Sequence, residues 1–393
     1  MNSRRRFLQQ MSGAAIAIGA ASPLLSRALP QTGSGIDLPG EDGMILRSFR
    51  FVDLETPVEY FNTWLTPVLL FFVRNHMHEP SELNAADRTN SDWRLSIGGE
   101  VEKPFSLTLA EISKLESHSV VNTLECAGNG RGLYRPQVPG IQWGKGAVGT
   151  ARFSGPRLRD VLQRAGVRSA GKHVMLRGLD EVPGKVPPFI RSIPIEKALD
   201  ADTLIATHMN GAPLTKHHGF PARALVPGWI GAASCKWLTE IKVLDSEFVG
   251  NFMNPGYRFP NQAVKPGDTV KPEDTHVVTG LNVKSVISGP LGGASIKAGR
   301  IGIHGVAWAG EAEVVKVEVS TDDGTTWRPA TFGDEQAHYA WRLWNYEWKA
   351  KAGDYTLRSR ATDSQGRTQP AEALWNPSGY LYNAVDQVKV HVA

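Results

Sequence analysis

The chain has 393 residues and a formal net charge of +4, and its length is sufficient for two domains with substantial hydrophobic cores. The first 30 residues contain four arginines and no acidic residue, so the rest of the chain carries 39 basic and 39 acidic residues. This balance excludes the electrostatic attraction on which nucleic-acid binding depends. The two cysteines do not form a Cys-x-x-Cys-His motif, and no Walker loop or Gly-x-Gly-x-x-Gly loop follows a predicted strand. The sequence therefore predicts no covalently attached haem and no nucleotide site.

The amino terminus has the pattern of an export signal. Residues 3–8 read Ser-Arg-Arg-Arg-Phe-Leu and precede an uncharged run over residues 9–25 that is rich in alanine, glycine and isoleucine. This pattern predicts a twin-arginine signal peptide over residues 1–30, export to the periplasm in a folded state, and cleavage between Ala20 and Pro30. The apolar run is too short to cross about 30 Å of hydrocarbon, so no stable membrane anchor is expected. The alternative interpretation is a basic amphipathic tail.

An apolar run that ends in an arginine and two histidines lies near the start of the first predicted domain, residues 45–260. Residues 68–73 have the length and β-propensity of a buried strand. In an extended chain, Arg74, His76 and His78 lie on one face. The two histidines could supply half of a zinc site or be solvated at a strand end. Arg74 on the same face favours an anion instead.

A cysteine stands where a predicted strand meets a glycine-rich loop. The apolar, β-branched run over residues 119–124 predicts a buried strand, and three glycines, Asn129 and Arg131 follow Cys126 within six residues. Glycine lets the backbone approach a bulky group closely, and a thiolate near an arginine suits a soft metal together with an anion. The alternative is a buried free cysteine that packs as a small hydrophobic residue.

Short strands and short helices follow one another irregularly through the first predicted domain. Strands are predicted over residues 93–101, 173–177, 203–208 and 236–244. A capping box at residues 108–111 predicts a helix to about residue 116, residues 152–165 read as a loop followed by a helix that ends at Gly166, and Pro194 begins a helix to Leu199. Because regular β-α-β alternation is missing, the predicted fold class is α+β.

The pattern changes after a linker rich in proline, lysine and aspartate over residues 264–273. Residues 300–307, 314–320, 340–348 and 355–362 read as strands, and Asp-Gly, Gly-Asp and Gln-Gly turns separate several of them. Strands of this length and spacing predict a β-sandwich over residues 270–393. This region contains six of the eleven tryptophans, which we assign first to its core and second to an interface.

Six strings of the chain, in order and spacing, resemble the sulfite oxidase family of molybdenum enzymes. They are Phe-Phe-Val-Arg-Asn-His at 71–76, Glu-Cys-Ala-Gly-Asn at 125–129, Gly-Leu-Asp at 178–180, His-Gly-Phe-Pro-Ala-Arg at 218–223, Val-Pro-Gly at 226–228 and Lys-Trp-Leu at 236–238. Residues 254–260, Asn-Pro-Gly-Tyr-Arg-Phe-Pro, resemble the segment of bacterial sulfite dehydrogenases that places a tyrosine near the metal. The resemblance implies an α+β fold: a sulfite-oxidase-type molybdopterin domain at 45–260, followed by an immunoglobulin-like dimerisation domain at 270–393.

The resemblance also implies a Mo-molybdopterin cofactor and assigns residues to it. Cys126 matches the thiolate that ligates molybdenum, and a disulfide between Cys126 and Cys235 is then excluded. Arg74 and Arg131 match the arginines of the substrate pocket, and Tyr257 matches a tyrosine whose phenol can donate a hydrogen bond there. The positions that match pterin or phosphate contacts are Asn75, His76, Asp180, His218, Arg223, Ser234 and Lys236.

The implied reaction is the oxidation of sulfite to sulfate by an enzyme that passes electrons to an external c-type cytochrome and can form a homodimer through its second domain. One position departs from the pattern, because family members that oxidise free sulfite often carry an arginine where this chain has Ser378. We therefore expect one positive charge fewer in the pocket. The string at 191–199 also resembles sulfane dehydrogenases, which act on sulfur bound to a carrier protein. Two more functions stay open, namely a sulfoxide reductase of the same superfamily and a non-enzymatic exported protein that binds partners through its aromatic residues.

Overall fold

The computed structural model describes residues 38–39, 43–49, 51–81, 83 and 92–393. The signal peptide predicted at residues 1–30 lies outside these ranges. The described residues pack as one unit. Across the described ranges, no helix is both long and apolar enough to cross a membrane.

Short strands make up most of the regular structure in the first part of the chain. In chain order they are β1 (Leu38–Pro39), β2 (Ile45–Ser48), β3 (Asp53–Glu55), β4 (Arg94–Gly99), β5 (Phe105–Thr108), β6 (His118–Glu125), β7 (Val148–Gly155), β8 (His173–Gly178), β9 (Ile190–Pro194), β10 (Leu204–Ala206), β11 (His208–Met209), β12 (Ala212–Pro213), β13 (Arg223–Leu225), β14 (Leu238–Leu244), β15 (Arg258–Pro260) and β16 (Thr275–Val277). Their sheets have the orders β1-β2-β3, β5-β4-β14-β8-β9, β12-β11-β7-β6, β10-β13 and β15-β16. Neighbouring strands are antiparallel except β4 and β14.

Helices in the described part of the chain are few and short. The α-helices are α1 (Leu109–Ile112), α2 (Leu158–Ala165) and α3 (Ile195–Ala198), and the 3-10 helices are Val58–Tyr60, Val68–Leu70, Arg131–Leu133, Lys216–His218, Gly231–Ala233 and Pro272–Asp274. The predicted capping box is present, because Thr108 and Glu111 exchange hydrogen bonds at the start of α1. Gly166 ends α2 in the left-handed conformation. The predicted α+β class is thus met only in part, because β-structure dominates.

Two predicted elements are wrong. Residues 68–73 do not form a strand: a 3-10 helix follows Pro67, Leu69 is 70% exposed, and Val73 alone bridges to Leu54. Residues 152–155, predicted as a loop, belong to β7 and pair with β6. Both errors have the same cause: local β-propensity does not determine whether a partner strand is available for pairing.

The second part of the chain consists of two sheets on a common core. Its strands are β17 (Lys284–Gly289), β18 (Ser295–Ile296), β19 (Gly299–Trp308), β20 (Val314–Ser320), β21 (Arg328–Pro329), β22 (Thr331–Phe332), β23 (Arg342–Ala350), β24 (Gly353–Asp363) and β25 (Asp386–Val392). The sheet orders are β17-β19-β23-β22 and β18-β25-β24-β20-β21. Val317, Trp344, Leu357 and Val390 are among the buried residues packed between them. The four strands predicted in this region are confirmed.

The two parts of the chain share buried surface. Trp344 and Trp348 lie in the core of the second part, as predicted. Trp308 and Trp341 instead belong to the large core cluster of the first part. The segment between β24 and β25 also returns to the first part, where the Leu381 N–H donates to the Ala127 carbonyl at 2.8 Å. The second part therefore packs directly against the loop that carries Cys126.

Candidate active site

Cys126 directly follows strand β6, and its side chain is buried. The Cys126 N–H donates to the Ala147 carbonyl at 2.9 Å, and the Asn129 N–H donates back to the Cys126 carbonyl at 2.8 Å. The side chain is buried, and burial raises the pKa of its thiol, although the guanidinium groups of Arg74 and Arg131 oppose the rise. A buried thiolate requires a compensating cation, and a soft metal ion supplies one.

Cys126 lies where two cavities meet. The inner cavity has a volume of about 70 Å³, and the outer cavity has a volume of about 680 Å³. The residues that line both are Arg74, His76, Cys126 and Tyr257. A group bound to the Cys126 sulfur can therefore contact the contents of both cavities.

The inner cavity brings together all the side chains that the sequence assigned to the cofactor. These are Asn75, His76, Cys126, Asp180, His218, Arg223, Ser234 and Lys236, and Cys235 and His217 also line the cavity. Both cysteines are free thiols, and the Cys235 Sγ–H donates to the Leu176 carbonyl at 3.6 Å. The predicted interpretation of Cys235 as a packing residue agrees with this contact.

Cations dominate the polar lining of the inner cavity. The Lys236 ammonium donates to the His217 carbonyl at 2.8 Å and to Asn75 Oδ1, and burial lowers the pKa of Lys236 to about 7. The Arg223 guanidinium donates to the carbonyls of His218 and Ser234 at 3.0 and 2.9 Å. Burial lowers the pKa of Arg223 to about 10, so Arg223 stays charged at neutral pH. Each cation donates mainly to neutral acceptors, which leaves positive potential for an anion.

The negative charge that opposes these cations comes from carboxylates, because the buried imidazole is neutral. Burial raises the pKa of Asp180 to about 6. Burial also lowers the pKa of His218 to about 3, and its neutral ring contacts the Val68 carbonyl at 3.1 Å through Nε2. Glu79 contacts His217 and Asn75 of this lining; burial opposes its ionisation, but the hydrogen bond from His217 lowers the pKa of Glu79 to about 2.

Arg131 is fixed at the wall of the outer cavity by two backbone carbonyls. Its Nε donates to the Ser378 carbonyl at 3.0 Å and its Nη1 to the Ile141 carbonyl at 3.1 Å. Space for the guanidinium depends on glycine, because a Cβ at Gly128 would lie 2.6 Å from Nη2 of Arg131. Arg131 has no salt bridge among the described residues, so its charge is available to a bound anion.

Arg74 is positioned by a buried carboxylate that sequence reasoning missed. Its Nη1 lies 3.3 Å from Oδ1 of Asp53, and the same oxygen accepts the Asn75 N–H at 2.9 Å. Asp53 is 1% exposed, and burial raises its pKa against the effect of Arg74. Asp53 lies on the three-residue strand β3. Its role depends on its contact with Arg74, which is distant in the sequence, so no local pattern identifies it.

Tyr257 and His76 form a hydrogen-bonded pair between the cavities. Tyr257 Oη lies 2.5 Å from Nε2 of His76, whose ring stacks on Phe189 with centroids 4.4 Å apart. Burial raises the pKa of Tyr257, and burial together with Arg74 and Lys236 lowers the pKa of His76 well below its ordinary value. The phenol is therefore the donor and the neutral imidazole the acceptor.

The zinc alternative for the two histidines finds no support in the geometry. His76 is inside the cavities, whereas His78 is exposed and packs against Phe51 with ring centroids 5.0 Å apart. Across the described residues, no group of three histidine, cysteine, aspartate or glutamate side chains is placed to hold a metal ion.

A segment of the second part closes the outer cavity. Pro377, Ser378 and Tyr380 line it, so the position at which an arginine was expected does face this space. The ring of Tyr380 lies parallel to that of Tyr257, with centroids 5.4 Å apart. Sequence reasoning missed Tyr380, although its place two residues after Ser378 was an available signal.

The comparisons with known proteins identify the family. Residues 81–252 match the family described as "Oxidoreductase molybdopterin binding domain", and residues 275–393 match "Mo-co oxidoreductase dimerisation domain". The chain is 38% identical to the mitochondrial sulfite oxidase of Drosophila melanogaster, over 83% of this chain and 59% of that protein. It is 36% identical to the sulfite oxidase of Gallus gallus, over 93% of this chain and 82% of that protein. The crystal structure of the sulfane dehydrogenase SoxCD from Paracoccus pantotrophus is similar with a TM-score of 0.76 and 25% identity, over 95% of this chain and 99% of that chain.

The residues of the inner cavity fit the cofactor of this family. Arg223 and Lys236 line the cavity, and neither forms a salt bridge with a described carboxylate, so both can bind the phosphate of a molybdopterin. The chain belongs to the sulfite oxidase family, whose members are oxidoreductases that bind Mo-molybdopterin.

Proposed function

We propose that this protein oxidises sulfite to sulfate, with Cys126 as the protein ligand of molybdenum in Mo-molybdopterin. The observation that carries the proposal is the place of Cys126 at the junction of the two cavities. The inner cavity offers the cations that a phosphate-bearing pterin needs, and the outer cavity offers two arginines for an oxyanion. When bound, the molybdenum centre supplies oxygen-atom transfer and accepts two electrons.

The proposed roles of the chain's own residues follow from their contacts. Arg223 and Lys236 bind the phosphate of the cofactor through charge-assisted hydrogen bonds, and Asn75, Asp180, His218 and Ser234 contact the pterin. His76 is a neutral acceptor that orients the Tyr257 phenol. Its ring lines the cavity proposed for the cofactor, and it also acts through Tyr257.

Arg74 and Arg131 bind and orient the substrate in this proposal. Sulfite has its three oxygens on one side of sulfur, so two guanidinium groups can hold the oxygens while the sulfur lone pair points towards Cys126. Asp53 fixes the direction of Arg74, and the Ser378 and Ile141 carbonyls fix that of Arg131. The Tyr257 phenol lies at the same place, with its O–H directed to His76.

We further propose a periplasmic homodimer that passes its electrons to an external c-type cytochrome. The predicted twin-arginine signal supports the compartment, and the match of residues 275–393 to a dimerisation family supports the dimer. The two sheets on a common core support an immunoglobulin-like assignment for that domain. Neither cysteine of the sequence lies in a haem attachment motif, which is why we assign the haem to a separate protein.

Oxidation of a sulfane group on a carrier is the second candidate. The outer cavity, at about 680 Å³, is larger than a sulfite ion needs, and Ser378 occupies the position of the expected arginine. The similar structure from Paracoccus pantotrophus is a sulfane dehydrogenase. A substrate that extends out of the cavity would use this space.

Sulfite-dependent reduction of cytochrome c by protein from molybdenum-replete cells tests the proposal. We expect turnover by the wild type, and a loss of at least about a thousandfold in Cys126→Ser, because a hydroxyl is a poor ligand for a soft metal. Cys235→Ser is the matched control, since Cys235 lines the same cavity but is assigned to packing, and it should retain turnover. Wild-type protein that contains molybdenum but does not oxidise sulfite would favour the sulfane candidate. Full activity in Cys126→Ser would contradict the ligand assignment.

A further inference from the structure

Cationic and aromatic groups are stacked along the outer cavity. The rings of Tyr257 and Tyr380 are parallel within 2°, with centroids 5.4 Å apart. The Arg191 guanidinium lies 4.9 Å from the ring centroid of Tyr257, and the Arg131 guanidinium lies 5.4 Å from that of Tyr380. Both distances are within the range of cation–π attraction. Tyr380 therefore connects the two candidate active-site residues Tyr257 and Arg131.

Arg191 brings an unpaired positive charge to this stack. It is 1% exposed, donates to the Phe252 carbonyl, and its Nε has no hydrogen-bond partner within the described ranges. No described carboxylate forms a salt bridge with it. Its charge consequently adds to the positive potential on the tyrosine side of the outer cavity, where the expected arginine is replaced by Ser378.

The backbone of Tyr380 is held firmly, while its phenol keeps a free donor. Its N–H donates to Asn376 Oδ1 at 2.9 Å, and its carbonyl accepts from the Tyr134 phenol at 2.8 Å. The phenol oxygen accepts the backbone N–H of Tyr257, and burial raises the pKa of Tyr380. No acceptor for the Tyr380 O–H is present among the described residues. The side chain is partly exposed and lines the outer cavity.

We propose that Tyr380 is a specificity-determining residue of the outer cavity, whose phenol O–H donates a hydrogen bond to the substrate oxyanion in place of the charge missing at Ser378. This inference rests on the proposed function, because it takes the outer cavity as the oxyanion site. A neutral donor fixes the position of one oxygen without adding charge. Tyr380 is therefore expected to act on substrate affinity far more than on the chemical step.

The test compares Tyr380→Phe with Tyr382→Phe in the molybdenum-loaded enzyme. Tyr382 is the matched control because it is a second phenol of the same segment, packs edge-on against Tyr134 at 5.1 Å, and does not line the outer cavity. The readouts are sulfate affinity by titration calorimetry, sulfite KM and kcat, and molybdenum content. Loss of one hydrogen bond to a charged oxygen should weaken sulfate binding and raise KM by about tenfold or more. The kcat, the molybdenum content and all values of Tyr382→Phe should stay close to wild type.

Each outcome decides a separate question. Unchanged sulfate affinity in Tyr380→Phe overturns the inference, as does a loss of affinity that is accompanied by an equal loss of molybdenum. Wild-type enzyme that shows no sulfate binding also overturns it. If the wild type binds sulfate but does not oxidise sulfite, the proposed function fails, while the sulfate affinities still decide the role of Tyr380.

Discussion

A buried ion pair links the residue before Cys126 to the second domain. Lys284 Nζ lies 3.1 Å from Oε1 of Glu125, and the two side chains are 5% and 8% exposed. The Trp308 indole donates to Oε2 of Glu125 at 2.8 Å, and the Asn129 amide donates to Oε1 at 2.9 Å. Because the glutamate is fully desolvated by these contacts, removal of the lysine alone would leave a buried charge without a counter-ion.

The size of the effect follows from the distance and the burial. At 3.1 Å and an effective dielectric constant of about 20, the attraction is about 5 kcal/mol, but desolvation of both groups offsets much of it. Lys284→Met should therefore lower the free energy of unfolding by about 3–5 kcal/mol. The double change Glu125→Gln with Lys284→Met should recover most of that loss, because no unpaired charge remains. Lys316→Met is the control: the Lys316–Glu318 pair has the same 3.1 Å distance but its lysine is 50% exposed, and the change should cost less than about 1 kcal/mol.

Guanidinium denaturation at neutral pH measures these differences, with molybdenum content determined on the same preparations. Glu125 directly precedes Cys126, so Lys284→Met should also reduce the molybdenum bound per chain, whereas the double variant should bind more than the single one. The reasoning would be refuted by equal unfolding midpoints for Lys284→Met and Lys316→Met. It would also be refuted by a double variant less stable than Lys284→Met.

Two further predictions concern the inner and outer cavities. Gly128→Ala places a Cβ 2.6 Å from the Arg131 guanidinium and should raise the sulfite KM by about tenfold or more through displacement of that group. Gly302→Ala, with open space at its Cβ, should leave the KM unchanged, and equal values for both variants would exclude this role of Gly128. Burial lowers the pKa of His218 to about 3, so the unfolded chain gains a proton below about pH 6.5 that the folded chain does not. The cofactor-free protein should therefore lose about 2 kcal/mol of stability between pH 7 and pH 5. His218→Gln, whose amide can still donate to the Val68 carbonyl, should lack this component in urea titrations at the two pH values.

The loop that carries Cys126 was predictable because its conformation depends on the residue types of the segment itself. The β-branched run at 119–124 became β6, and the glycines after Cys126 leave room for the Arg131 guanidinium. The caps at Thr108 and Gly166 were also predictable, because a capping bond and a left-handed glycine involve only neighbouring residues. The strand predicted at 68–73 was wrong, since Pro67 and the missing partner strand outweighed β-propensity there.

The resemblance of short strings predicted the members of the inner cavity, but not how each one acts. His76 was assigned to the pterin, and only the folded chain showed that it also accepts the hydrogen bond of Tyr257. Asp53 has no local signature, because it acts on Arg74, which is distant in the sequence. Tyr380 stands two residues after Ser378, but its contacts with Tyr257 and Arg131 arise only in the folded chain.

The sequence by itself determined the two-part organisation, the cysteine loop and the family, because motif order, β-propensity and turn residues are properties of the sequence alone. The tertiary structure alone decided that the two cavities meet at Cys126, that a second-domain segment closes the outer one, and that Glu125 is paired with Lys284. These features depend on burial and on contacts between distant residues. Their energies arise from desolvation and close approach, which exist only once the chain has folded.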